Sequence, residues 1–308
     1  MKYSEGGFCP LYFNKNLIER NMMSQVTASL VKELRDRTGL GMMECKRALV
    51  QSGADIEKAI EELRKSSGMK AAKKAGRTAA DGLVAVKVGG EYGCVVEVNS
   101  ETDFVARDES FQGFVKNVVD SAFSTKETDM SQIMAGDMES SREALVQKIG
   151  ENISPRRVSG IDAPVVGGYV HSNNRIAVIV GLSAGTEELA RDVAMHVAAV
   201  NPTVVSSDQM PEDIVAAEKE IFAAQARESG KPEEIIEKMI AGRVNKFLKE
   251  SSLVDQPFVK DPDITVGKLV KDGGAEIVSF VRYEVGEGID VEAVDFAAEV
   301  AAQVKGAN

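Results

Sequence analysis

The residue types that do chemistry are sparse in this chain and badly spaced for it. There are two histidines, His171 and His196, and three cysteines, Cys9, Cys45 and Cys94. The cysteine number is odd, the spacing is wide and no CxxC occurs, which is the pattern of reduced thiols rather than disulfides or a zinc site. His171 falls where a strand meets a turn, and His196 falls within a helix. No GxxxxGK[ST] is present, nor a GxGxxG after a strand, so no phosphate-cradling loop is evident. No GxSxG appears, and no cysteine is spaced to pair with a histidine as an activated nucleophile. The carboxylates are many, but their runs read as solvated faces. No enzyme, cofactor or resident metal is expected, and the balance favours a protein that acts by contact.

One stretch stands out as a contact element. Glu97-Val98-Asn99-Ser100-Glu101-Thr102-Asp103-Phe104-Val105-Ala106-Arg107 follows an alternating apolar run (Tyr92, Cys94, Val95, Val96, Val98) that reads as a strand. Asn99 to Asp103 is rich in helix-capping residues, and Phe104 then arrives where a helix should begin. Either Phe104 is the first core residue of that helix, or it is an aromatic held outward on a rigid corner.

The elements that position this corner come from the rest of the chain. A length of 308 residues points to about two ordinary domains. The apolar share of 44% and charged share of 28% are globular values, and with no Trp the cores must be built from Val, Ile, Leu, Ala and Met. A net charge of −11 would be repelled by a nucleic-acid backbone, so no direct nucleic-acid partner is expected. No apolar run approaches the roughly 18 residues of a membrane helix, so no membrane partner is expected either. Residues 1–22 resemble neither a signal nor a transit peptide and are read as a disordered extension of a cytoplasmic protein.

In chain order, residues 23–68 read as an N-terminal bundle of three helices. Thr27 caps the first, Ser52-Gly53 closes the second, and Asp55 caps the third. Met42 and Met43 are adjacent, so at least one must be exposed, and methionine suits adaptable contact surfaces. Residues 69–80, small and basic around Lys70 to Arg77, read mostly as a solvated linker. Residues 81–163 form a first core subdomain: a hairpin with a two-residue Gly89-Gly90 turn, a helix with Phe111, Phe114, Val115, Val118 and Val119 in phase, an irregular stretch, and a helix near Ser141–Gly150. Residues 164–205 and 252–288 form a second core subdomain, with Ala275–Val285 a strand able to join its sheet. Residues 206–251 insert an antiparallel coiled-coil hairpin offering a face for self-association. Residues 289–308 carry a last amphipathic helix.

The two subdomains are an internal repeat. Thr102-Asp103 and Thr186-Glu187 are 84 positions apart, and Ala106-Arg107-Asp108 and Ala190-Arg191-Asp192 keep that offset, as do the turns at Gly89-Gly90 and Asn173-Asn174. The repeat matches Phe104 to Glu188 and Val105 to Leu189, which turns position 104 to solvent and 105 inward. Phe104, Phe111 and Val118 are also in phase at heptad spacing, which favours the core reading; we weigh the repeat more heavily. The repeat matches His196 to Gln112, so His196 is expected at a polar surface.

At this point the chain resembles a known family. Leu34-Arg35-Asp36-Arg37-Thr38-Gly39-Leu40-Gly41-Met42-Met43-Glu44-Cys45-Lys46-Arg47-Ala48-Leu49 and the stretch around Phe104 are similar to the two signature segments of bacterial elongation factor Ts, and the order of elements resembles that family's from about Met23 to the C-terminus, residues 1–22 being the departure. The resemblance implies an α+β protein with a ubiquitin-associated-like N-terminal bundle and a C-terminal helical module. It also implies a translation factor that binds elongation factor Tu and exchanges its guanine nucleotide. Thr102, Asp103, Phe104 and Val105 match the segment that displaces magnesium in the partner. Arg35, Met42 and Met43 match contacts of the N-terminal bundle with the partner's nucleotide domain, and Lys74, Ile149, Gly150 and His171 match further contacts.

Overall fold

The computed structural model describes residues 26–228 and 232–290 and mixes helices with small antiparallel sheets, an α+β architecture. The extension expected over residues 1–22, the Gly230 that should close a helix, and the last helix from Val291 lie outside the described residues. The chain divides into two units: one reaches Thr78 and adds Gly136–Ile153, the other holds Ala79–Ala135 and the chain from Ser154.

The first unit contains helices α1 (Ala28–Thr38), α2 (Met42–Gln51) and α3 (Ile56–Lys74). Thr27 Oγ1 accepts from the Leu30 N–H at 3.2 Å and Asp55 Oδ1 from Lys58 N–H at 3.1 Å, so both expected caps form. Leu34, Cys45, Leu49 and Ala59 are fully buried between the helices. The expected linker over 69–80 is corrected at its start. Helix α3 continues to Lys74, and Ala71 is buried along it. The reason lies far along the chain, where α3 packs on helix α7 (Asp137–Ile149), which begins before the expected Ser141. Sequence boundaries placed this helix in the 81–163 subdomain; its contacts are with the bundle.

The second unit starts with strands β1 (Asp81–Gly89) and β2 (Tyr92–Ser100), paired from Asp81↔Ser100 to Gly89↔Tyr92. Their two-residue loop is Gly90-Glu91, one position beyond the expected Gly89-Gly90, and Gly90 takes the positive φ (+62°) that such loops require. After β2 come the one-turn helix α4 (Asp103–Ala106), helix α5 (Glu109–Thr125), the short α6 (Met130–Ile133) and strand β3 (Ile153–Asp162), which completes a sheet ordered β1-β2-β3. The second sheet is β4 (Val165–Val170), β5 (Ile176–Leu182) and β8 (Ile277–Glu284), so the late strand joins it as its pattern predicts. Helix α8 (Glu187–Val200) follows β5. Helices α9 (Glu212–Arg227) and α10 (Glu233–Ser251) form the hairpin. A small β6–β7 pair (Pro257–Phe258 and Asp261–Thr265) and helix α11 (Val266–Asp272) lead into β8.

The repeat is real in three dimensions. Asn174, 84 positions after Gly90, also has positive φ (+54°), although its loop is longer. Cys94, Val95, Val96 and Val98 of β2 are fully buried, as are Val178, Ile179, Val180 and Leu182 of β5 at the same offset. One apolar layer, with Val84, Val95, Ala177, Ile179 and Tyr283, packs the two sheets together. Helix α5 covers the outer face of the first sheet, and α8 that of the second through Val193 and Val197.

His196 corrects the expectation of a polar surface position. It is fully buried, its Nδ1 accepts from the Val259 N–H at 3.2 Å, and its Nε2 bonds Gln256 Oε1 at 2.9 Å. Burial lowers its pKa below the ordinary value, against a smaller opposing effect of Gln256, so the ring is a neutral structural tie.

Candidate partner-binding surface

The corner after β2 is built from small polar groups beneath an apolar tip. Ser100 is fully buried at the strand end, and its hydroxyl donates to the Thr102 carbonyl at 2.9 Å. Thr102 takes extended dihedrals at the N-cap, and Asp103–Ala106 make a single turn. The backbone N–H of Arg107 closes on Phe104 O at 3.1 Å and that of Asp108 on Val105 O at 2.9 Å. Asp108 then accepts from the Ser110 and Phe111 N–H groups and starts helix α5 afresh. The result presents Phe104 at 77% exposure while Val105, at 5%, anchors the turn. Asp103 lies beside Phe104, and its carboxylate meets the Arg107 guanidinium at 2.9 Å.

His171 belongs to the same unit. It is exposed at the end of β4, with Tyr169 Oη 3.2 Å from its Nδ1. The turn it begins is seated on β1, where the Val84 N–H donates to Asn174 O at 3.1 Å. The structure therefore places the His171 turn against the strand whose partner ends in the Phe104 corner.

The other expected contacts lie in the first unit. Met42 and Met43 are both exposed, at 62% and 68%, and Arg35 is exposed on α1. Lys74, Ile149 and Gly150 come together: Gly150 caps α7 at φ +91°, and Lys74 Nζ donates to its carbonyl. Glu44, next to the methionine pair, is gripped by Lys70 and by Gln147 at 2.8 Å. Burial pushes its carboxyl upward, but those two hydrogen bonds and the cations Lys70 and Arg47 outweigh that and leave the pKa lowered. Sequence reasoning missed Met69, 65% exposed one residue before Lys70. It also missed Arg107, although its spacing from Asp103 is the readable i, i+4 of a helical ion pair.

The Cys94 thiol is buried, and burial pushes it up to about 11, which disfavours the reactive thiolate. Among the described residues no group of three or more His, Cys, Asp or Glu is arranged to hold a metal ion, and no helix is long and apolar enough to cross a membrane.

Comparison with known proteins shows the family. The family profile described as Elongation factor TS matches residues 101–287, starting at the corner itself. Elongation factor Ts of Cellvibrio japonicus is 68% identical over 92% of this chain and 98% of its own. That of Hahella chejuensis is 64% identical over 92% of this chain and 100% of its own, and that of Saccharophagus degradans 67% identical over 91% and 98%. The chain belongs to the elongation factor Ts family. As a member of that family it is a translation elongation factor.

Proposed function

We propose that this elongation factor Ts chain is a guanine-nucleotide exchange factor for elongation factor Tu, acting in the cytoplasm without a catalytic group of its own. The observation that carries the reading is Phe104, 77% exposed on a turn whose next residue is buried. Bound GDP in such a partner is held through its phosphates and a Mg²⁺ ion, whose octahedral shell tolerates little distortion. Phe104 enters the partner's nucleotide domain and displaces the elements that carry the magnesium ligands. Asp103 acts at the metal site, Thr102 starts the turn, and Val105 fixes it to the core. Arg35, Met42 and Met43, on the ubiquitin-associated-like bundle, hold the nucleotide domain. Lys74, Ile149, Gly150 and His171 add further contacts. The α9–α10 hairpin, with Ile214 and Ile221 exposed, offers a face for self-association.

Thermodynamically the factor binds the nucleotide-free partner more tightly than the GDP form, and by linkage it weakens GDP as much as GDP weakens it. The test is stopped-flow release of labelled GDP from elongation factor Tu. Wild-type chain should accelerate release, and Phe104→Ala and Asp103→Asn should both slow it. Release as fast as wild type in both variants would end the assignment to Phe104 and Asp103, whereas binding of the partner by the wild-type chain with no effect on release would make the chain a plain adaptor and end the exchange reading.

A further inference from the structure

A closed circuit of hydrogen bonds runs beneath the Phe104 corner. The Asn99 amide nitrogen donates to the Asp81 carbonyl at 3.1 Å and to Glu97 Oε1 at 2.9 Å. Glu97 Oε1 also receives the Gly286 N–H at 2.8 Å. The preceding residue, Val285, donates its N–H to the Arg175 carbonyl at 2.8 Å. The Arg175 guanidinium returns to the Asp81 carboxylate and closes the ring. Glu97 and Asn99 are buried at 0% and 1%, and the remaining charge of Glu97 is met by Arg156 and Arg157.

The ring draws its members from four places: β1, the last turn of β2, the His171 turn and the chain just after β8. Asn99 directly precedes Ser100, the residue that holds the Thr102 carbonyl. Gly286 is forced into its place by space, since at φ +78° a side-chain carbon would lie 2.2 Å from the Ala80 carbonyl oxygen. The buried Glu97 carboxylate is satisfied by these donors, while the Asn99 Oδ1 beside it is buried with no hydrogen-bond partner among the described residues.

We propose that this ring is the positioning device of the corner, with Arg175 and Asp81 as its positioning residues: it fixes the Phe104 turn against the His171 turn before any partner arrives. Its effect on nucleotide release rests on the exchange reading; its effect on the corner does not. Rate in such systems depends on placement, and a misplacement near 1 Å costs up to about a hundredfold. Arg175 and Asp81 are partly exposed, so they are open to substitution without removing core volume.

The experiment uses the full chain and two readouts. Amide hydrogen exchange at Arg107 and Asp108, whose N–H groups close the turn, should quicken about tenfold in Arg175→Ala while Val95 and Val96 stay protected. GDP release from elongation factor Tu at saturating factor should fall about tenfold in the same variant. The charge-swapped pair Asp81→Arg with Arg175→Asp should restore both to within about threefold of wild type, which loss of general stability would not do. Should Arg175→Ala unfold, Asp81→Asn, which removes only the charge, gives the same reading. Corner amides within about twofold of wild type in a folded variant, or a swap that restores nothing, overturn the ring as a positioning device. If wild-type chain fails to speed GDP release while the amides behave as stated, the exchange reading falls and the ring stands.

Discussion

The corners at Thr102–Asp108 and Thr186–Asp192 start from nearly the same residues and end in different structures. In the second, Thr186 Oγ1 accepts from the Leu189 N–H at 3.2 Å and one continuous helix runs to Val200. In the first, the helix stops after a single turn and restarts at Glu109. The matched aspartates separate them. Asp108 turns its carboxylate onto backbone N–H groups and caps a new helix, whereas Asp192, mid-helix, is held by Lys260 at 2.7 Å. The broken helix leaves a detached turn, and on it stands Phe104 where the unbroken copy has Glu188. The two copies therefore share a frame and differ in where one aspartate side chain turns.

The sharpest way to break this comparison is to truncate the matched tips. Phe104→Ala should slow factor-stimulated GDP release by about a hundredfold, the scale of a lost aromatic hot spot, while Glu188→Ala stays within about twofold. Equal losses would mean the second corner also engages the partner. Next comes the pair of aspartates. Asp108→Ala should lower chemical-denaturation stability by about 1 kcal/mol as a lost N-cap. Asp192→Ala removes only a partly exposed ion pair and should cost less than about 1 kcal/mol.

The smallest effect concerns His196 and its counterpart Gln112. His196 is buried with a lowered pKa, so below the ordinary histidine value of about 6.5 the unfolded chain takes up a proton that the folded chain refuses. Stability is full above that value and falls as pH drops through it. One proton limits the loss to about 0.7 kcal/mol from about pH 7 to about pH 6. His196→Gln should flatten that part of the pH profile in denaturant titrations, while Gln112→His, at an exposed site, should leave it unchanged.

Much of this was readable from local pattern. Thr27 and Asp55 cap as their types and positions predict, β8 joins the second sheet, and the repeat turned Phe104 outward against its heptad phase. What was not readable depended on distant partners. Strand β3 carries Arg156 and Arg157 in its middle and reads as polar, because the buried Glu97 that receives them is about sixty positions earlier. The basic run after Met69 reads as solvated, yet Lys70 and Lys74 are held by Glu44 and by Gly150, 76 positions from Lys74. His196 reads as a surface residue because Gln256, 60 positions on, is not visible to local pattern. Of the site, the corner and the exposed methionines followed from spacing and repeat; the ring beneath the corner did not, since it closes across 189 positions between Glu97 and Gly286.

That span has a consequence during synthesis. The hairpin bearing Phe104 emerges from the ribosome early and can pair its own strands at once, but the last members of the ring are Val285 and Gly286. On the positioning proposal, a chain that stops before Val285 keeps the paired hairpin but lacks the ring, so its Phe104 turn is formed but not aimed.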